Sequence, residues 1–349
     1  YTKSGKHIKT IEEVPLTEEM PKGFMAVREG KRRIDWRNDQ PATLVFAEAL
    51  DEGDPEKDVD YRDQVYTWKA PFKDEPQKLV KTFNRYSGVL WGTDELVLVY
   101  DYWWNTRNMK AYFINPEERS KEPVIIIDRN YQDRYNDPGS PITTKNKFGE
   151  HIIQVDGEYI YLEGDGYSPD GILPFIDKFD INTQDTERLW RAKANSKLER
   201  IIFALDIKKG KILTRIESKN EYTNYYIRDI RKDDKKEVIT YFKNPFESLK
   251  NVQKELIKYK RNDGVDLSAT LYLPANYDKK SGKKLPMLMW AYPYEFKDAA
   301  SAGQITTSPN EFTYPWYGSP IFWVQRGFAI LDDASFPIIG EGDEEPNDT

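Results

Sequence analysis

Serine-based acyl transfer needs a tight turn of small residues that exposes the hydroxyl, usually Gly-x-Ser-x-Gly, and no such pentapeptide occurs in this chain. The nearest approach, Gly166-Tyr167-Ser168-Pro169-Asp170-Gly171, has the wrong spacing and a rigid proline after the serine, so it reads as a turn. General bases are scarce as well. The chain holds two histidines, His7 and His151, both far from any nucleophile pattern, and His151 reads as a structural or surface residue in a strand-like run. With no cysteine, thiolate nucleophiles, thiolate metal sites and disulfides are excluded. No His-Glu-x-x-His occurs, and neither residues 51–60 nor 165–170 fit a calcium loop with its terminal glutamate. No glycine-rich phosphate cradle is present either, so neither a metal nor a cofactor is expected. What remains is an aromatic placed by an apolar run. Residues 285–291 read as a strand buried on both faces that delivers Tyr292 to its carboxyl end.

The elements that would position Tyr292 fall into two parts. Residues 1–245 repeat a unit in which an aromatic and a polar turn lead into a hydrophobic strand. Trp36-Arg37-Asn38-Asp39 precedes Thr43-Leu44-Val45-Phe46, and Trp91-Gly92-Thr93-Asp94 precedes Leu96-Val97-Leu98-Val99-Tyr100. Each is followed by further strand pairs, as Tyr112-Phe113-Ile114 is by the run from Val124, and Tyr226-Ile227 by Val238-Ile239. Equivalent points recur at roughly fifty residues, near the length of a four-stranded propeller blade. Such blades stack because one alone cannot bury both of its faces. About four to five blades are visible, and a β-sandwich with accidental periodicity is the alternative.

Near residue 245 the pattern changes. Phe246, Leu249 and Val252 recur every third residue, as in a short helical connector. Ile257 and Tyr259 alternate with lysines, Asn262-Asp263-Gly264 supplies a turn, and Val265, Leu267, Ala269, Leu271 and Leu273 share one face of a second strand, which is a hairpin signal. After the 285–296 stretch and a long loop, Ser319 and Pro320 open a helix that Gly327 closes, and Phe328-Ala329-Ile330-Leu331 forms another buried strand. Strand, helix and strand with short connections is the grammar of a mostly parallel α/β sheet. The expected fold is therefore mostly β: a partial β-propeller over 1–245, then the opening part of an α/β sheet over 246–349.

A net charge of −7 disfavours a nucleic-acid or anionic-membrane surface, and no apolar run is long enough for a transmembrane helix. The first residues, Tyr-Thr-Lys-Ser-Gly-Lys-His, are neither a signal peptide nor an initiator methionine, which leads us to expect a longer parent protein.

The stretch with Tyr259, Asn262-Asp263-Gly264-Val265 and Ala269-Thr270-Leu271-Tyr272-Leu273-Pro274 resembles the start of the catalytic domain in the prolyl oligopeptidase family of serine peptidases. The segments Trp290-Ala291-Tyr292-Pro293-Tyr294-Glu295-Phe296-Lys297, Gly318-Ser319-Pro320 and the acidic run from Gly340 to Asp348 look most like its glutamyl endopeptidase branch. Gly30, residues 34–37 and Asp137-Pro138-Gly139-Ser140-Pro141 look like the propeller of that branch. The resemblance implies a seven-bladed propeller over an α/β-hydrolase domain, a Ser/Asp/His triad, and hydrolysis of short or unfolded peptides, with glutamyl preference. It implies no cofactor, and bacterial relatives suggest the periplasm.

This chain departs from that pattern in showing too few blades and in ending before the nucleophile elbow. It is therefore expected to be inactive alone, and residues 255–349, with an open sheet edge and face, are expected to be either poorly ordered alone or shielded by the rest of the chain or another copy. The resemblance also implies that Tyr292 is an oxyanion donor. Family members carry glycines after that tyrosine, whereas Pro293 here has no N–H to offer, so the side chain itself must donate. The acidic run Glu341-Gly342-Asp343-Glu344-Glu345 follows a strand and either borders the substrate cleft or, as charge runs usually face water, is a solvated loop; its sign is wrong for a glutamate pocket. Rival readings are a non-catalytic propeller that binds proteins, a prolyl or dipeptidyl peptidase, and an esterase.

Overall fold

The computed structural model describes residues 1, 4–232, 235–340 and 345–346. It separates into two compact units, one of residues 1–131 and 143–157, the other of residues 132–142 and 158–349.

The first unit is built on two four-stranded antiparallel sheets. One comprises Arg32–Trp36, Thr43–Ala49, Asp63–Lys69 and Gln77–Thr82, the other Arg85–Thr93, Leu96–Trp103, Asn108–Ile114 and Val124–Asn130, each strand pairing with the next in sequence. The turn expected after Trp36 is present, whereas Trp91, Gly92 and Thr93 belong to a strand and only Asp94 and Glu95 form the turn. The period-2 alternation of strands explains the burial: Val45 and Ala47 join Val65, Val97, Val99, Trp91 and Tyr112 in one core, while Leu44 and Phe46 face the other way onto Trp68. Acidic residues 51 and 63, which fit no calcium loop, are instead paired inside this unit. Arg85 donates to Asp51 (2.7 Å) and Asp63 (3.2 Å), and Arg62 donates to Asp51 (2.9 Å). Burial opposes charge on Asp51, but the two guanidiniums outweigh it and hold the carboxyl below its ordinary range. His151 is exposed, with its Nδ1 3.1 Å from the Thr143 hydroxyl, and the exposed His7 is 3.1 Å from that of Thr10.

The second unit carries three sheets that matter for the site. Tyr159–Gly164, Phe175–Asp180 and Thr186–Arg191 form one antiparallel run, with Ser140–Pro141 paired to its first strand. Leu198–Asp206, Lys211–Glu217, Asn224–Asp229 and Lys236–Val238 form a second. The two share a core that includes Ile142, Ile176, Trp190 and Ile212.

The third sheet is mixed, in spatial order Gln253–Lys260, Asp266–Leu273, Ala329–Ile339, Met287–Phe296. Its first two strands are the hairpin expected around Asn262-Asp263-Gly264, and its last two pair in parallel. The connector after residue 245 is a single 3₁₀ turn, Glu247–Leu249. The helix opened by Pro320 is also 3₁₀, Pro320–Arg326, closed by Gly327 at φ 86°. Ile321 and Val324, its two buried residues, are three apart, which is the 3₁₀ period and sets both against Tyr272 and Ile330. Ser319 precedes it without a side-chain cap.

One expectation is corrected. The stretch read as a strand buried on both faces is an edge strand running over Met287–Phe296, and Met287, Met289, Trp290, Tyr292 and Tyr294 are exposed. Its apolar composition does not bury it because a strand is covered only by its neighbours. Among the described residues this one pairs with Ala329–Ile339 alone.

The serine decoy is settled by its backbone. Tyr167–Ser168 pairs with Gly171–Ile172 in a minimal hairpin, and the Ser168 hydroxyl donates to the Gly171 carbonyl (2.9 Å). Gly166 sits at φ +63°, and a Cβ there would lie 1.9 Å from the Leu173 carbonyl oxygen. Gly166→Ala is accordingly expected to destabilise the chain by about 1–3 kcal/mol, read as a lower urea midpoint at unchanged slope; an unshifted midpoint would refute the steric account.

Candidate functional site

Tyr292 does not end its strand but lies within it, opposite Ser335 of the parallel neighbour, and Pro293 follows opposite Phe336. It is 68% exposed. Its ring leans on Tyr294, two residues on and so on the same face, with centroids 5.5 Å apart. Among the described residues its hydroxyl has no hydrogen-bond partner, unlike those of the exposed Tyr314 and the buried Tyr272, which are engaged by Glu217 and Thr313. An uncommitted phenol on a rigid strand is free to donate to a group arriving from solution.

Tyr292 lines a cavity of about 100 Å³ together with Ser268, Gln304, Asp333 and Ser335. Asp333 enters it through a local irregularity. Met289 pairs with Leu331 and Ala291 with Ala334, so Trp290 faces two residues, Asp332 and Asp333, and the extra residue makes a β-bulge. Asp333 takes up the distortion at φ 49°, a left-handed conformation that aspartate tolerates better than most residues. Partial withdrawal from water raises the pKa of both carboxyls, Asp332 being half-buried and Asp333 still open to solvent. Repulsion from Glu311 adds to the rise at Asp333, and at Asp332 a backbone hydrogen bond and the Lys254 ammonium partly offset it.

The loop beside this cavity is tied down from several directions. A four-residue helix, Ala299–Ala302, is capped by Asp298, which accepts from the Ser301 N–H (2.6 Å) and hydroxyl (2.9 Å). Next, the Gln304 side-chain oxygen accepts the N–H groups of Arg134 (2.7 Å) and Tyr135 (3.1 Å), while its amide donates to Asp133 (2.7 Å). Gln132 donates to the Glu295 carbonyl (2.6 Å), and the Tyr135 hydroxyl accepts the Ile305 N–H (2.8 Å). Further along, Glu217, buried to 1% exposure, accepts the Phe312 N–H (3.3 Å) and the Tyr314 hydroxyl (2.8 Å). Arg200 donates to Glu311 (3.1 Å). Lys254, its pKa lowered by burial, donates to the Glu311 carbonyl (2.6 Å).

Of the site residues read from sequence, Tyr292 is placed in a cavity; among the described residues no histidine lines it, and its two serines, Ser268 and Ser335, face each other with their hydroxyls 3.4 Å apart. Residues 341–344 and 347–349 of the acidic run lie outside the described residues. Sequence reasoning missed Gln304, Asp333 and Arg134. The one available signal was the pair Asp332-Asp333 inside an otherwise apolar strand, which is costly unless the backbone turns one of them outward.

A profile of X-Pro dipeptidyl-peptidases of the S15 family matches residues 263–336. The whole chain aligns at 42% identity with two plant proteins named probable glutamyl endopeptidase, chloroplastic, from Oryza sativa subsp. japonica and Arabidopsis thaliana. It spans 39% and 38% of their lengths. It is also similar to the solved structure of a putative dipeptidyl aminopeptidase IV from Bacteroides ovatus, at 13% identity and a TM-score of 0.50, covering 86% of this chain and 51% of that one. That likeness concerns the fold alone.

A raised carboxyl at Asp333 carries a pH signature. The native state holds that proton more tightly than the unfolded state, so its contribution to stability is present below the ordinary carboxylate range and is lost as pH rises through the raised native value. Asp333→Asn, which keeps the shape and tolerates the left-handed backbone, is expected to raise the urea midpoint over the parent at pH 7, with the gap closing near pH 3. An equal shift at both pH values would remove Asp333 as the source.

Proposed function

From a chain that belongs to the prolyl oligopeptidase family of serine peptidases, and is most similar to its glutamyl endopeptidase branch, we infer part of an enzyme that hydrolyses peptide bonds by acyl-enzyme chemistry. The observation that carries this is the 42% identity to two named glutamyl endopeptidases along all of this chain. Its substrates are short or unfolded peptides, cleaved after glutamate. Residues 1–245 are blades of a β-propeller, a reading supported by successive four-stranded antiparallel sheets at the expected spacing. Residues 246–349 are the beginning of an α/β-hydrolase domain, supported by the hairpin, the parallel strand pair and the helical crossover between its strands.

Tyr292 donates its hydroxyl to the oxyanion that forms as the serine attacks the scissile carbonyl. A donor of this kind accelerates the reaction because it is already oriented when negative charge appears, so no solvent need reorganise. Three features support the role: a rigid strand, an open hydroxyl, and a neighbouring proline that leaves the side chain as the donor. The serine, aspartate and histidine of the triad are not among these residues. The chain supplies the oxyanion side of the site and the wall beside it.

The complete enzyme is expected to cleave peptides after Glu in preference to Pro or Ala. In it, Tyr292→Phe should lower kcat by about 10²–10³-fold with little change in KM; unchanged kcat would return Tyr292 to a packing role. This chain alone should resist labelling by a fluorophosphonate, and stoichiometric labelling would show a nucleophile that sequence and geometry do not reveal.

A further inference from the structure

Resting on the glutamyl reading, this inference asks which cation receives the glutamate carboxylate. The Tyr292 cavity supplies none, since its charged lining residue is Asp333. Most nearby cations of this unit are already committed. Arg261 forms a fork on Asp263 (2.7–2.9 Å) and donates to the Pro337 carbonyl, Lys254 is bonded to the Glu311 carbonyl, Arg200 donates to Glu311, and Arg228 grips Glu199 with two bonds of 2.7 and 2.8 Å.

Arg134 differs. Its backbone N–H is held by Gln304, which itself lines the Tyr292 cavity, so the residue is fixed immediately beside it. Its side chain turns into an adjoining cavity of about 360 Å³, where it remains 41% exposed. There the guanidinium lies over the Tyr167 ring at 5.1 Å. Among the described residues the acid that pairs with it is Asp165, 3.7 Å away and well beyond the ~2.7–2.9 Å of a direct charge-assisted bond. Asp165 is shared at 3.9 Å with Arg200 and bonded by the Tyr167 hydroxyl.

We propose that Arg134 is the specificity residue of this site, its guanidinium taking the side-chain carboxylate of the substrate glutamate in the cavity beside Tyr292. The contact over the Tyr167 ring restrains the guanidinium, and its planar fork suits a bidentate carboxylate, a geometry lysine does not match. The other acids of that cavity do not cancel the attraction. Asp137 caps its own turn by accepting the Gly139 N–H (3.0 Å). Glu163 is partly buried, and burial raises its pKa, helped by the neighbouring Asp165 charge. Its Oε2 is withdrawn from solvent and has no hydrogen-bond partner among the described residues, so the protonated form that burial favours sets no full charge against the incoming carboxylate.

The test uses the complete enzyme and matched peptides carrying Glu, Gln or Lys before the scissile bond, with thermal melting as the control for folding. The parent should prefer Glu to Gln. Arg134→Gln should cut kcat/KM for the Glu peptide by about 10- to 100-fold, the weight of a charge-assisted bond, with a much smaller change for the Gln peptide. Arg134→Glu should shift preference toward Lys. Unchanged Glu:Gln selectivity in both variants, or an equal fall on all three peptides, would overturn the assignment. A parent enzyme that makes no distinction between Glu and Gln would instead overturn the glutamyl reading, and this inference with it.

Discussion

The second unit depends on one buried carboxylate. Glu217 ends an antiparallel strand, is almost wholly withdrawn from water, and spends its two oxygens on the Phe312 N–H and the Tyr314 hydroxyl. A buried carboxylate is costly unless hydrogen-bonded, and so is the N–H of the buried Phe312, while the more exposed Tyr314 supplies its hydroxyl as the second donor. The carboxylate and that N–H therefore need each other, and the loop between the two parallel strands has one low-energy course across this sheet. Phe312 and Tyr314 close on Tyr222 edge to face, adding apolar contact to the polar tie. With that course fixed, Glu311 meets Arg200 and Lys254, and Gln304 is delivered to the 132–135 segment.

The same restraint explains why the candidate site sits on strands rather than in a mobile loop. Tyr292 and Asp333 belong to paired parallel strands, and the bulge opposite Trp290 turns Asp333 into the cavity without breaking the pairing on either side. The loop contributes Gln304, but only after being anchored at several points. A site that must meet developing charge in a fixed orientation gains from such a frame, because a displacement of about one ångström already weakens the donor.

Local patterns were readable in the sequence, and environments were not. The turn at Asn262-Asp263-Gly264, the paired runs around Val45 and Val97, and Pro320 and Gly327 as helix limits all follow from the chemistry of a few adjacent residues, and all appear. The burial of Met287–Phe296 did not follow, because an apolar run says what a strand would cover and not whether a neighbour is there to cover it. Asp333 escaped because its role comes from a one-residue offset against the partner strand. Arg134 escaped because an arginine in a polar loop looks like any other until its neighbours are known. Tyr292 was singled out by the apolar run before it and given a role by the resemblance, and its openness could be learned only from the fold.

The ties through Gln304 and Gln132 join groups 163 to 171 residues apart in the chain. During synthesis the 132–137 segment therefore emerges long before the strand and loop that will bind it. Contacts of such long range are slow to form and impose little order until both ends are present. The cavity wall that carries Arg134 is thus among the last parts to take shape, and a nascent chain should reach folded antiparallel sheets well before that wall is in place.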